Sequence, residues 1–490
     1  MLTLINANRM QPPIAPVGID YLAASLKMAG EAVEVLDLGL ADDPATALER
    51  HLGRSEPELV AVGFRNVDDC FWPSGAWFVP ELAELLGQIC AATAAPIVLG
   101  GVGYSIFPAE VLRLSGAQFG ICGDGEAPLV RLLEELRGAR RWDRVPGLLW
   151  RAGDAVRANP PHWPAEVDVP PLRDWIDNTR YFRRGGQVGV ETKRGCPRAC
   201  TYCVDPLAKG GAARLRDPET VATEFAALAE QQVEAVHLCD AEFNLPIGHA
   251  REVCDALIRR RIADRVRWYA YLAVVPFDDD LAARMARAGC VGINFTSDSA
   301  HGAMLAAYGQ PHRRDDLAEA VQLCRRHGIR TMLDLLLGGP GETEGTVTES
   351  IGFFRRIEPD CVGAALGVRL YPGTPLTRRL IGDGSRIPAG IHRRYEGPLA
   401  LVRPTFYISP QLGPRPAAFV RECIGDDRRF FEPMDDPAES AGGAADKETN
   451  AAPGDHNYNA SKVLADAIGD GARGAYWDIL RALRLGEPLP

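Results

Sequence analysis

The sequence predicts an α/β protein built from two parallel-sheet domains, a doubly wound sheet followed by a partial barrel of six strand–helix units, with a mainly helical C-terminal extension. Three observations carry this. Apolar runs hydrophobic enough to be buried on both faces alternate with helical stretches over residues 1–140, and again over residues 188–378. A proline-rich connector, residues 141–187, separates the two series. The chain, at 490 residues, is also longer than one ordinary core fills.

In the first series the strands are residues 2–6, 33–37, 59–63, 96–100 and 119–121, separated by helices such as 21–29. This is a Rossmann-like pattern, and such sheets bind ligands beyond the carboxyl ends of their strands. Unusual residues gather there: Pro13 and Gly18 after the first strand, Arg65, Asn66 and Val67 after the third, Gly100, Gly101, Gly103, Tyr104 and Ser105 after the fourth, and Gly123, Gly125 and Glu126 after the fifth. Glycines at strand-to-helix turns let backbone amides and a helix N-terminus approach a bulky or anionic ligand, so these residues are the candidate ligand site. The connector carries Pro146, Pro160, Pro161, Pro164, Pro170 and Pro171 and a small hairpin around residues 151–154.

The second series places strands at residues 187–192, 235–240, 266–271, 292–296, 331–337 and 363–370, a TIM-like (β/α)6 partial barrel whose active residues come from strand carboxyl ends. Its first strand delivers Gly195-Cys196-Pro197-Arg198-Ala199-Cys200-Thr201-Tyr202-Cys203, three thiols at offsets of four and three. Three thiolates can hold three irons of a cubic cluster and leave the fourth iron open. A structural zinc site wants four closed ligands, usually as two pairs, and no second pair exists. Later strand ends present Glu242, Asp298, and the Gly338-Gly339-Pro340 segment. Tyr269 in the third strand, Tyr371 after the last, and Arg65 are the candidate catalytic residues.

The net charge of -11 argues against a broad nucleic-acid-binding face, and no apolar run of about 18 residues or secretion leader is present. A small-molecule or peptide substrate and a reducing, cytoplasmic setting follow. In the extension, residues 385–425, with Tyr395, Arg403, Tyr407 and Arg421, are placed to cap the barrel mouth. Residues 432–456 have the composition of a disordered loop, and residues 461–485 return to helical periodicity, with Tyr476, Trp477 and Leu480 read as a packing stripe.

CPRACTYC matches the CxxxCxxC signature, with an aromatic before the last Cys, of the radical S-adenosylmethionine (SAM) superfamily, and the chain resembles that superfamily. The resemblance implies a 4Fe-4S cluster on Cys196, Cys200 and Cys203, whose open iron takes the amino and carboxylate groups of SAM. It further implies Tyr202 near the adenine, Glu242 at the SAM amino group, Asp298 at its carboxylate or ribose, and Gly338, Gly339 and Pro340 near adenine. PPIAPVGIDYLAASLKMAG, GGVGYS and GDGE resemble the cobalamin-binding domain that precedes many radical SAM domains, and RLYPGTPL resembles a segment typical of that group.

The cobalamin motif Asp-x-His-x-x-Gly is absent, and the block's one histidine, His51, stands in a polar helix, so cobalamin is expected in a His-off form. Arg65 is the residue expected under the corrin, because a guanidinium has no lone pair to give to cobalt. The other reading pairs Arg65 with Asp68 or Asp69 to shape its loop. The resemblance thus implies a cobalamin-dependent radical SAM enzyme, class B methyltransferase-like, that passes a methyl from SAM through methylcobalamin to an unactivated carbon or phosphorus. It implies an external electron donor such as a flavodoxin or ferredoxin, and a monomer. The alternatives are a ring closure or rearrangement without methyl transfer, a methylthiotransferase whose second cluster would need Cys70, Cys90 and Cys122, and a non-catalytic cobalamin sensor.

Overall fold

A computed structural model describes residues 1–382, 387–436 and 462–490. Most of the segment expected to be a disordered loop, residues 437–456, lies outside the described residues.

The first sheet contains β1 (Leu2–Asn6), β2 (Val33–Asp37), β3 (Leu59–Gly63), β4 (Ile97–Gly100) and β5 (Phe119–Ile121), all parallel, in the order β2-β1-β3-β4-β5. The direction of winding reverses between β1 and β3, which is where such sheets open a crevice. The hairpin expected inside the connector belongs instead to this sheet. Its strands β6 (Leu148–Ala152) and β7 (Ala155–Ala158) add antiparallel to β5, so the sheet runs to Ala158 rather than ending near residue 140. With three residues, β5 would be a weak open edge, and the hairpin covers it by burying Leu148 and Leu149.

The barrel begins with β8 (Val188–Val190), followed by the small antiparallel pair β9 (Lys193–Arg194) and β10 (Arg214–Leu215), which flanks the cysteine loop. Then come β11 (Ala235–Leu238), β12 (Arg267–Ala273), β13 (Cys290–Asp298), β14 (Arg330–Leu337) and β15 (Cys361–Leu366), and the six barrel strands stand in the order β8-β11-β12-β13-β14-β15. The last strand is shorter than expected: Gly367, at φ +99°, breaks it, and its remainder becomes β16 (Val368–Arg369). That strand pairs in a three-stranded antiparallel sheet with β17 (Ile391–Arg393) and β18 (Thr405–Tyr407). A strand absent from the sequence reading, β19 (Phe430–Phe431), extends the barrel sheet beyond β15.

The C-terminal helices Lys462–Gly469 and Tyr476–Leu485 pack against the early halves of the barrel strands, with Leu464, Ile468 and Trp477 in one cluster with Tyr269, Met332, Cys361 and Phe431. Trp477 meets the Tyr269 ring edge-on at 5.9 Å, and the Tyr269 hydroxyl donates to Asp478 at 3.0 Å. Tyr269 is therefore not at the barrel mouth, as a catalytic role requires, but in the floor of the barrel. Among the described residues no helix is long and apolar enough to cross a membrane.

Arg173 of the connector locks the two domains together. Fully buried, it donates to Asp20 of the first domain at 2.7 Å and to Glu224 of the second at 2.8 Å, and it reaches the Gly189 carbonyl at 2.8 Å and Asn178 at 3.1 Å. Tyr21 donates to the same Glu224 at 2.7 Å and accepts from Arg216 at 3.0 Å, while Arg216 faces Glu224 at 2.8 Å. Two buried arginines thus balance two buried carboxylates, and removing one partner leaves an uncompensated charge. Arg173→Met should cost about 3–5 kcal/mol of stability, read as a clearly lowered thermal midpoint with separate transitions for the two domains; a midpoint equal to the wild type contradicts the lock.

Candidate active site between the sheet and the barrel

The cysteine loop is held at both ends by backbone. Gly195 sits at φ +80°, and a Cβ there would stand 2.2 Å from the Ala212 carbonyl, so only glycine fits at the entry to the loop. The Cys196 amide donates to the Gly210 carbonyl, and the Thr201 amide and hydroxyl donate to the Tyr308 and Ala307 carbonyls at 2.8 and 2.9 Å. Leu376 in turn donates to the Thr201 carbonyl, which ties the loop to the chain leaving β16. Burial pushes all three thiols up, that of Cys200 to about 12, so they are neutral until a metal displaces their protons. No three His, Cys, Asp or Glu side chains among the described residues converge as a single ion requires. A cubic cluster needs no such convergence, because each thiolate bonds a different iron. Three thiols on one loop, each free to bond its own iron, fit such a cluster.

Two carboxylates after β11 divide their duties. Asp240 accepts from the Thr192 amide at 2.8 Å and its hydroxyl at 2.5 Å, and from the Lys193 amide at 3.2 Å, so it fixes the strand end that delivers the cluster loop. Glu242 is buried, and its Oε2 has no hydrogen-bond partner; burial raises its pKa to about 8. Lys193 is equally orphaned at Nζ, close enough to feel both Glu242 and Cys196. A buried carboxyl group with one free oxygen and a buried lysine amine with no partner, which a ligand's ammonium and carboxylate would complete, suit a zwitterionic ligand beside the thiols.

Asp298 stands where β13 shifts register against β14, at φ +56°. Its carboxylate accepts from the Tyr202 hydroxyl at 2.9 and 2.7 Å and from Gln310 at 2.6 Å, and the same Gln310 amide reaches the Cys200 sulfur at 3.5 Å. Burial raises the Asp298 pKa to about 6. Such strain in a non-glycine residue is kept where it aims a side chain; here it holds Tyr202, which also meets Tyr308 edge-on at 5.5 Å. The glycine segment after β14 is internally capped. Glu342 accepts from the amides of Gly338 and Gly339, leaving Pro340 at the apex, and a Cβ on Gly339 would stand 2.2 Å from the Tyr308 hydroxyl.

Across the gap, the switch point of the first sheet forms a cleft of about 310 Å³ lined by Asn8, Arg9, Met10, Phe64, Arg65 and Asn66 with the start of helix Val79–Ala92. Arg65 reaches Asn66 at 2.7 Å. Asp68 is taken by Arg369 of β16 at 2.7 Å, and Asp69 by Ser74 at 2.5 Å, so the loop is shaped without Arg65. The Arg65 charge is felt by Cys239, Tyr271 and Tyr476, so it faces the barrel interior. Cys70, Cys239 and Tyr271 are solvent-accessible although surrounded by protein, because they border the open space between the domains.

The remaining residues fall into two groups. Gly18 and Gly100 leave open space where a Cβ would stand, which fits a bulky ligand. Gly101 and Gly103 instead meet the protein's own backbone, at 2.7 Å from the Phe64 carbonyl and 2.9 Å from Arg65, so they press the next helix onto the Arg65 loop. Val67 is buried behind that loop, and Pro13 pairs with the start of β8 through Gln187. Tyr104 is no ligand contact: it is fully buried in the apolar core, its hydroxyl against Gly120. Ser105 accepts from the Gly123 amide at 3.0 Å, and Gly123 lies against Trp163. Gly125 abuts Leu22, while Glu126 pairs with Arg194 of the barrel at 2.9 Å, beside the Asp124–Arg214 pair, so this turn joins the domains. Tyr371 donates to the Cys70 sulfur at 3.3 Å across the same boundary.

A doubly wound sheet facing a partial barrel whose first loop carries three thiols is the architecture of a cobalamin-binding domain joined to a radical SAM domain. The halves match the models of those families: the B12 binding domain over residues 4–133 and the Radical SAM superfamily over residues 190–354. The chain belongs to the cobalamin-dependent radical SAM methyltransferases, which use a 4Fe-4S cluster, SAM and cobalamin. It is 32% identical, over 82% of its length and 78% of the relative's, to the tryptophan 2-C-methyltransferase of Streptomyces laurentii. It matches the structure of the methyltransferase TsrM from Kitasatospora setae, bound to tryptophan and a SAM analogue, at a TM-score of 0.90 and 31% identity over 99% of this chain and 98% of that one. A second structure of that protein, with cobalamin and a [4Fe-4S] cluster, matches at a TM-score of 0.87 and 29% identity over 99% of this chain and 97% of that one.

Glu242 gives a testable pH dependence. Its proton is held more tightly in the fold, at about 8, than in the unfolded chain, at about 4.3. Its contribution to stability is therefore whole below about pH 4 and is lost as pH rises towards 8. Glu242→Gln should raise the thermal midpoint of the cofactor-free protein by a margin that grows from pH 5 to pH 8 and then levels; a margin independent of pH would contradict this environment.

Proposed function

We propose that this enzyme methylates carbon 2 of the indole ring of tryptophan. The observation that carries the reading is the match, over 99% of this chain, to a methyltransferase structure with tryptophan bound. When bound, the cofactors would supply the methyl group and its carrier, and the chain's own residues would position them. Cys196, Cys200 and Cys203 would hold the cluster; Glu242 and Lys193 would hold the amino and carboxylate groups of SAM. Asp240 and Asp298 act one step back, fixing the loop and Tyr202. Arg65, at the lip of the crevice, would lie against the bound corrin and would supply there a permanent cation that has no lone pair to donate.

Anaerobic incubation of cluster-reconstituted protein with methyl-labelled SAM, hydroxocobalamin, a reductant and tryptophan should yield tryptophan carrying one labelled methyl on the indole ring. Cys200→Ala should bind less iron and give no product. Tryptophan recovered unlabelled by the wild type would overturn the substrate, and Cys200→Ala retaining about four irons would overturn the cluster ligands.

Arg65 is tested separately. The cobalt(II) form of the bound cofactor should show no axial nitrogen splitting in its paramagnetic resonance spectrum. Arg65→Leu should retain cobalamin while slowing methyl transfer at least about tenfold, with Arg65→Lys between the two, because the lysine keeps the charge but loses the planar fork. A splitting in the wild type, or full activity in Arg65→Leu, would refute the assignment.

A further inference from the structure

The last turn of the helix Gly302–Tyr308 is seated on the cysteine loop. Its carbonyls at Ala307 and Tyr308 take the Thr201 hydroxyl and amide, and Gly309, at φ +76°, ends the helix so close to the loop that a Cβ would stand 3.0 Å from the Ala199 carbonyl. The Gln310 amide closes the turn on the Leu305 carbonyl at 2.9 Å, as happens where a left-handed glycine ends a helix. Backbone thus fixes Gln310 beside the thiols. Its side-chain nitrogen stands 2.6 Å from Asp298 Oδ2 and 3.5 Å from both the Cys200 sulfur and the Tyr202 hydroxyl. A carboxylate only accepts, so Asp298 decides which end of the amide faces it, and the second N–H hydrogen is left for the sulfur side. The other two thiols are served by the main chain: the Arg198 amide bonds Cys196, and the Asp205 amide bonds Cys203.

We propose that Gln310 tunes the reduction potential of the cluster by donating an N–H···S hydrogen bond to Cys200, a role that rests on the reading of Cys196, Cys200 and Cys203 as cluster ligands. A thiolate bonded to iron shares the negative charge of the cluster, and the reduced form carries one electron more than the oxidised form. A donor aimed at that sulfur therefore stabilises the reduced form more and raises the potential. Two of the three sulfur bonds are main-chain and persist whatever side chains the loop carries; the bond from Gln310 is the one a substitution removes. Asp298 supplies the aim. Its oxygens also take the Tyr202 hydroxyl at 2.9 and 2.7 Å, so the carboxylate that steadies the aromatic ring of the loop steadies the donor as well. An amide suits the position: a carboxylate there would repel Asp298 and offer the sulfur no proton, and an aliphatic chain would fill the space and leave the sulfur bare.

The test is an anaerobic redox titration of the cluster-reconstituted full chain, with dithionite supplying the single electron and the paramagnetic resonance signal of the reduced cluster as the readout. Gln310→Met keeps the bulk and removes the donor. At a fixed solution potential it should lower the ratio of reduced to oxidised cluster about tenfold, a shift of about 59 mV to lower potential for a one-electron couple. Gln310→Glu replaces the donor by an acceptor and should lower the ratio further. Wild-type protein carrying glutamine isotopically labelled at its side-chain nitrogen should show a weak coupling from that nitrogen in the pulsed spectrum of the reduced cluster, a readout that needs no variant to fold. A potential in either variant equal to or above the wild type overturns the proposal, as does a labelled wild type without the coupling. Where Gln310→Met assembles fewer than about four irons, the labelled wild type decides. A wild-type protein with no 4Fe-4S signal, or Cys200→Ala retaining about four irons, overturns the ligand reading instead, and the tuning role falls with it.

Discussion

Everything in the site depends on the fixed relation of the two domains, and that relation rests on Arg173. Neither domain alone builds a place for chemistry: one contributes a crevice with Arg65 at its lip, the other a ring of strand ends with a thiol loop. Arg173 is fully buried, and with Asp20, Tyr21, Arg216 and Glu224 it ties the halves through one buried network. Desolvating four charges is tolerable only because each finds its counterpart at close to 2.8 Å or nearer, so the geometry is all or nothing. Orientation of groups across the gap is then set before any ligand arrives, which is the condition for positioning reactants within a fraction of an ångström.

A second layer of the same logic lies within the barrel. The groups that leave a polar atom unpaired, Glu242 at Oε2 and Lys193 at Nζ, stand among carboxylates bonded at both oxygens, such as Asp240 and Asp298. The saturated carboxylates hold loops; the unsatisfied ones wait. In the proposed reading this division separates positioning residues from contact residues. It also separates two uses of glycine in the first domain, where Gly18 and Gly100 open space and Gly101 and Gly103 close it.

The fold and the cluster loop were legible because their signals are local. A strand buried on both faces shows as an apolar run, and three thiols within eight residues carry their own chemistry. What stayed hidden depends on partners far along the chain. Tyr269 looks like a strand residue facing a mouth until the last helix is seen beneath it, and Glu126 looks like part of a ligand turn until Arg194 arrives from the barrel. Tyr104 follows glycines that do shape the crevice, yet helical geometry turns its ring into the core.

The ion pairs that cross between the halves share a sign. Asp20, Asp42, Asp68, Asp124 and Glu126 lie in the first domain, and their partners Arg173, Arg184, Arg369, Arg214 and Arg194 lie in the connector and the second. In these crossing pairs the acid stands on the first-domain side and the guanidinium on the other. The two domains are therefore not interchangeable modules, although each belongs to a family found in other combinations. A foreign cobalamin-binding domain fused to this barrel would bring the right crevice without these acids, stranding guanidiniums out of water. Exchange of parts between such enzymes is constrained less by their active sites than by the charge pattern of the joint.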